Sequence, residues 1–203
     1  MDVVAYMISC SERADVRAGT LARLAATDWA ADAVVVLDGS ALPRPQDRQV
    51  ETAERLLRRA LSDGAPYVLF LEDDLEFNRY LRHNLESWWP LRTASPDTHF
   101  MASLYNPDIG AVEEHLELSY AVADPDLVYG SQAFLLSRAT VARVIDGWYD
   151  VIGGQDIKIS RLAATAGPIH YHRPSLVQHV PVPSTWGGVG HTAIDYSPTW
   201  LAS

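Results

Sequence analysis

The chain has 203 residues, 48% of them hydrophobic and 21% charged, which is enough for one globular domain with a substantial core and at most two. Its net charge of −10 weighs against non-specific binding to nucleic acid or to an anionic membrane. Cys10 is the only cysteine, which excludes an internal disulfide and a thiolate zinc site, and Lys158 is the only lysine. No stretch approaches the roughly 18 apolar residues of a membrane span. The start, Met-Asp followed by VVAYMIS, lacks the basic region of a signal peptide, so the expectation is a soluble cytoplasmic protein.

Val3 to Ser9 is apolar throughout and predicts a first strand. The next segment predicts a helix from about Asp15, with Leu21, Leu24 and Ala25 on one face. Val34 to Asp38 predicts a second buried strand that ends on an acid, followed by a Pro-rich loop from Gly39 to Asp47. Arg48 to Ser62 is an amphipathic helix, with Val50, Ala53, Leu57, Ala60 and Leu61 on its apolar face. Gly64 stands where a C-cap glycine belongs, and Pro66 follows.

The run Tyr67-Val68-Leu69-Phe70-Leu71 predicts a strand buried on both faces, and it leads directly into Glu72, Asp73 and Asp74. Ligands of open α/β sheets bind outside the carboxyl ends of strands. Adjacent carboxylates held there repel one another, and a divalent cation relieves that repulsion. The plainer alternative is that the two aspartates only start a turn.

Beyond the triplet, Tyr80 to Trp89 predicts a helix stopped by Pro90, and Phe100 to Tyr105 a strand. Asn106 to Leu127 is polar and acidic, with HLELSYAVA as an exposed alternating strand. Gln132 to Leu136 predicts a strand, after which Ser137 caps a short helix carrying Val141, Val144, Ile145 and Trp148. Gly153-Gly154-Gln155-Asp156 leads into a helix to about Ala166, and Ser175 to Val180 is the last strand. Three alternations of strand and helix followed by a mixed second half predict a single α/β domain. Its central sheet is mixed but mainly parallel, with flanking helices.

Four segments, in this order, resemble the GT-A class of nucleotide-sugar glycosyltransferases. Glu72–Asp74 resembles the DxD motif of that class, and Tyr129 to Ser137 its glycine loop before a sheet strand. Gly153 to Asp156 resembles the segment carrying the catalytic acid of inverting members, and Ser175 to Val180 the late strand with a metal-binding histidine. The triplet begins with Glu where the motif has Asp, which leaves Asp74 as the ligand. Gln155 stands where an acid is common, which leaves Asp156 alone in that role.

The resemblance implies a GT-A-like, Rossmann-like domain over 1–203, with a nucleotide-binding half at 1–78. The acceptor and metal half would then be 79–203, with a lid loop at Ser184–Gly188. It implies metal-dependent transfer of a sugar from a nucleoside diphosphate sugar, UDP-sugar favoured, to an acceptor hydroxyl with inversion. Asp74 and His179 would hold Mn²⁺ or Mg²⁺, oxygen ligands suiting both and the imidazole tipping the choice toward Mn²⁺. His191 is the alternative histidine. Asp156 would be the base, although an Asp before a helix is also a favoured N-cap. Ser9, Glu12, Arg13, Asp38 and Asp73 would line the nucleotide and its phosphates. Gly130 and Ser131 would let backbone approach the sugar, and Trp186 would stack on it or pack in the core.

The residues do not name the acceptor. A saccharide, a lipid-linked or natural-product sugar, or a hydroxymethylated pyrimidine in DNA all fit. For DNA, Arg48, Arg55, Arg58 and Arg59 would meet phosphates, although a solvated helix face also accounts for them and the net charge favours that plainer reading. Two rival classes share the carboxylates: a metal-dependent phosphohydrolase or nuclease, and a non-catalytic sugar-binding module.

Overall fold

In a computed structural model, residues 2–107, 111–183 and 192–203 are described. β1 (Val3–Ser9), β2 (Val34–Leu37) and β3 (Tyr67–Leu71) pair in parallel, joined by α1 (Ala14–Ala25) and α2 (Pro45–Ser62). Their apolar runs leave both faces to be covered, which is why helices lie on each side. β3 then leads into the short β4 (Leu75–Phe77), α3 (Leu81–Ser87) and α4 (Trp89–Arg92).

The second half supplies β5 (Met101–Ser103), the hairpin β6 (Ala111–His115) and β7 (Tyr120–Ala123), β8 (Ala133–Ser137) and α5 (Arg138–Asp146). α6 (Gln155–Ala164), β9 (Ile169–His172) and β10 (Val177–His179) complete it. The main sheet has eight strands in the order β2-β1-β3-β8-β5-β9-β7-β6. Six run one way and β8 and β7 run the other, giving the mixed, mainly parallel sheet of a GT-A-like fold. β4 and β10 form a separate antiparallel pair.

Alternation along β3 sorts the core into two layers. Val68 and Phe70 join Phe134 and Leu136 under Leu56 and Leu57 of α2, Val141 of α5 and Ile159 of α6. Tyr67, Leu69 and Leu71 join Leu135 on the other face, against Leu24 of α1 and Leu81 and Leu85 of α3.

Several boundaries differ from the sequence expectation. α2 starts at Pro45, because proline suits the first helical turn, where its missing N–H costs nothing. The helix expected over Tyr80–Trp89 ends at Ser87; Trp88 is extended, and Pro90 lies inside the first turn of α4 instead of stopping α3. HLELSYAVA is not one strand: Leu116–Leu118 forms a helical turn, and Ser119 adopts a left-handed conformation (φ 57°) that starts β7. Ser137 caps α5 as expected, its Oγ accepting from the Thr140 N–H at 3.2 Å. The last strand shrinks to Val177–His179, and β4 and β9 are additional.

β9 carries a fully buried histidine. The His172 ring lies 4.8 Å from that of Trp88 and 5.5 Å from that of Trp200. Nδ1 donates to the Pro174 carbonyl at 2.6 Å, and Nε2 has no hydrogen-bond partner among the described residues. Burial pushes its pKa from 6.5 down to about 4, only partly opposed by the Pro174 bond. The unfolded chain therefore takes up a proton that the folded chain refuses. Stability is intact above pH 6.5 and falls as pH drops toward 4, by up to about 3 kcal/mol from this group. Urea titrations at pH 7 and pH 4.5 should show a smaller acid loss for His172→Gln than for wild type. Equal losses would assign the acid sensitivity to other groups.

Candidate active site

The carboxyl edge of the sheet is built around the turn between β3 and β4. The Glu72 N–H still donates to the Gln132 carbonyl at 3.0 Å, so Glu72 continues the β3–β8 ladder on the face of Phe70. Asp73 turns the other way, toward α1. Its Oδ2 accepts from Ser9 Oγ at 2.5 Å and its Oδ1 from Arg13 Nε at 2.8 Å. Its carbonyl accepts from Thr20 Oγ1 at 2.7 Å. Burial raises the Asp73 pKa, against the opposing pull of Ser9 and Arg13.

Asp74 faces outward again. Its Oδ2 accepts from Arg13 Nη2 at 2.6 Å and lies 3.2 Å from His179 Nε2. Its Oδ1 is buried without a hydrogen-bond partner among the described residues. The β4–β10 pair accounts for this meeting. It sets His179 opposite Leu75, and the Val180 N–H donates to the Asp74 carbonyl at 2.8 Å. The hydrogen bond to Asp74 raises the His179 pKa despite burial.

The opposite wall comes from the loop before β8 and the start of α6. Gly130 has φ +79°, a conformation that demands glycine, and a Cβ there would lie 2.3 Å from Gln132 Oε1. Its N–H donates to Asp156 Oδ2 at 2.9 Å. Asp156 Oδ1 accepts from the Ile157 N–H at 2.9 Å. Gly154 is the N-cap and Asp156 the second residue of α6, which corrects the expectation of an Asp156 cap. A Cβ on Gly154 would meet Asp156 Oδ1 at 2.7 Å. Two residues on, Lys158 Nζ donates to the Trp148 carbonyl at 2.7 Å and to the Val151 carbonyl. The only lysine thus ties down the loop that delivers Asp156.

Glu72 lies between the two walls and is the residue that sequence reasoning passed over. Its Oε1 accepts from Ser131 Oγ at 2.7 Å and from Gln155 Nε2 at 3.4 Å, and Gln155 also donates to Ser131 Oγ at 2.8 Å. Burial first and then the Asp74 charge push its pKa up to about 7; Asp156 adds to this, while Ser131 and His179 oppose it. The only signal in the sequence was its place in the triplet after β3; its partners Ser131 and Gln155 come from far along the chain.

The remaining candidates scatter. Arg13 is buried, and its Nη1 donates to the Pro183 carbonyl at 2.9 Å, so its fork is already engaged by the fold. Asp38 closes a local turn, accepting from the Ser40 N–H at 2.9 Å, and pairs with Arg48 Nε at 3.2 Å. Glu12 is exposed and accepts from Ser11 Oγ at 3.1 Å. Trp186, His191 and the Ser184–Gly188 loop lie outside the described residues. Each arginine of the α2 group has a partner within the fold: an ion pair with Asp38 for Arg48, and as acceptors the Leu37 carbonyl for Arg55, Glu54 for Arg58 and Asp63 for Arg59.

The donor set fits a divalent cation. Asp74 and His179 converge, and a buried Asp74 oxygen lacks a partner. Among the described residues no three His, Cys, Asp or Glu side chains form a complete cage. Mg²⁺-type sites usually take one or two carboxylates and fill the remaining positions with substrate phosphates and water.

No family model and no curated protein matches the sequence; the likeness to known proteins is structural. A197 from STIV superimposes with a TM-score of 0.61 at 11% identity, over 90% of this chain and 87% of that one. A glycosyltransferase involved in the glycosylation of the major capsid of PBCV-1 gives 0.57 at 7% identity, over 91% and 95%. A 4-diphosphocytidyl-2C-methyl-D-erythritol synthase gives 0.51 at 12% identity, over 90% and 95%. At such identities the likeness establishes the fold, one shared by glycosyltransferases and nucleotidyltransferases.

The raised Glu72 pKa has a stability consequence. Ionising Glu72 costs more in the folded than in the unfolded state. The penalty is therefore absent below pH 4.5 and complete once pH passes about 7. With chelator present, Glu72→Gln should be more stable than wild type at pH 8 by about 1–2 kcal/mol, the difference shrinking toward pH 5. Denaturant midpoints at both pH values check this; an unstable variant at pH 8 would show that the ionised carboxylate supports the fold.

Proposed function

We propose that this protein transfers a sugar from a nucleoside diphosphate sugar, a UDP-sugar by preference, to a hydroxyl of an acceptor, with inversion at the anomeric carbon. One observation carries the reading: Asp74 beside His179 on one side, Asp156 clamped by Gly130 on the other, and Glu72 between them. A non-catalytic sugar-binding module has no use for a separately mounted carboxylate on the α6 wall.

Asp74 and His179 would hold Mn²⁺ or Mg²⁺, and the unpartnered Asp74 Oδ1 is the open acceptor. A cation bound there stabilises the departing nucleoside diphosphate as a Lewis acid. Asp156 would take the proton from the acceptor hydroxyl as the hydroxyl oxygen attacks the anomeric carbon. Its oxygens accept two backbone hydrogen bonds, which fix the carboxylate for that role. Arg13, Ser9 and Asp73 would form the donor-side wall as one unit, with Asp38 and Glu12 farther out along the nucleotide. Gly130 and Ser131 would flank the sugar, with Trp186 closing over it. Tyr129 and Ile152, both exposed and next in sequence to the loops that carry Gly130 and Asp156, would face the acceptor.

Incubation with UDP- and GDP-sugars plus Mn²⁺ should release nucleoside diphosphate. Release of pyrophosphate from a nucleoside triphosphate instead would identify a nucleotidyltransferase. Asp74→Ala should lose metal-dependent UDP binding in calorimetry, and unchanged binding would sink the metal assignment. Asp156→Asn should bind UDP and melt like wild type yet transfer roughly 10²–10⁴-fold more slowly. Retained transfer per folded molecule would reduce Asp156 to a helix-end residue.

A further inference from the structure

Gln132 carries an unused buried polar group at this site. It is 6% exposed, and its Oε1 has no hydrogen-bond partner among the described residues. Buried carboxamides are normally paired, and leaving one unpaired costs stability. An apolar side chain at this position would avoid that cost, so the carboxamide needs another explanation.

Its location supplies one. The Gln132 carbonyl receives the Glu72 N–H, so the residue sits directly across the ladder from Glu72. Its Oε1 lies 2.3 Å from the position a Cβ would take on Gly130, and Gly130 is the residue whose N–H holds Asp156. The carboxamide therefore packs against Gly130, on the wall that holds Asp156 and across the ladder from Glu72. On this wall Ser131 donates to Glu72, and Gln155 donates to both Ser131 and Glu72.

We infer that the Gln132 carboxamide reads the hydroxyl pattern of the transferred sugar. The inference rests on the glycosyl-transfer reading above. With the diphosphate at Asp74 and the base at Asp156, the sugar occupies the interval between them, and Gln132 borders that interval. A carboxamide presents one acceptor and two donors in a plane, which suits two adjacent hydroxyls and distinguishes epimers that move one of them. A site built to hydrogen-bond a hydroxyl rejects the analogue that misplaces it, because its own buried group is then left unpaired.

The test compares wild type with Gln132→Leu and Gln132→Asn in the presence of Mn²⁺. Calorimetry measures UDP, UDP-glucose, UDP-galactose and UDP-N-acetylglucosamine, and thermal melting is followed without ligand. Gln132→Leu should bind UDP within about twofold of wild type and the preferred UDP-sugar about tenfold more weakly, with discrimination among the three sugars largely lost. Its melting temperature should equal or exceed that of wild type, since an unpaired carboxamide has been replaced by an apolar group. Gln132→Asn, with a shorter reach, should fall between the two in discrimination. Unchanged sugar preference in Gln132→Leu would overturn the inference. So would a parallel loss of UDP affinity, or a lowered melting temperature with preference intact, which would mark a structural role. Failure of wild type to bind any of the four nucleotides would instead overturn the glycosyl-transfer reading, and this inference with it.

Discussion

Moving Asp73 and Asp74 out of water costs several kcal/mol per charge before any partner is counted, and both side chains are less than a tenth exposed. Arg13 offsets that cost by spanning both carboxylates with Nε and Nη2. Guanidinium geometry suits this, because the fork is planar and its charge persists at any working pH. The same residue reaches the Pro183 carbonyl, so one side chain links the end of β1, the end of β3 and the chain beyond β10. The rest of the carboxyl edge depends on that link. Without it the turn would splay under its own charge, and His179 would lose the neighbour that the β4–β10 pair brings to it.

The edge as a whole is assembled against stability. Glu72 is held where ionisation is penalised, Asp74 keeps an unpaired oxygen, and Gln132 keeps an unpaired carboxamide. Unpaired buried polar atoms also occur away from this edge among the described residues, at Trp29, Tyr171 and His172, while the two core layers follow the alternation of the strands without exception along β3.

The sheet was legible where apolar runs were long. Val3–Ser9 and Tyr67–Leu71 have the bounds the pattern predicts, because a strand buried on both faces needs nothing but apolar residues. β4 and β9 were illegible for opposite reasons. Leu75–Phe77 is too short to show a period amid acids, and Ile169-His-Tyr-His172 reads as polar although its histidines pack among aromatic rings. At the site, Asp74, His179 and Asp156 could be singled out because the segments that carry them resemble GT-A motifs, and Asp74 also because it follows a buried strand. Glu72 could not, since its importance arises from Ser131 and Gln155, 59 and 83 residues away. Arg13 was legible as a cation near the phosphates' expected place, but its engagement with two carboxylates depends on how β1 and β3 align. Trp186 and the Ser184–Gly188 segment stay as the sequence left them.

Lys158 gives the chain an unusual chemical profile. A protein whose one side-chain amine serves as an interior strut offers acylating reagents no lysine on its surface. Any acylation of that amine must wait for the Trp148–Val151 carbonyls to let go, so the labelling rate of a single atom becomes a clock for the breathing of the loop that carries Asp156.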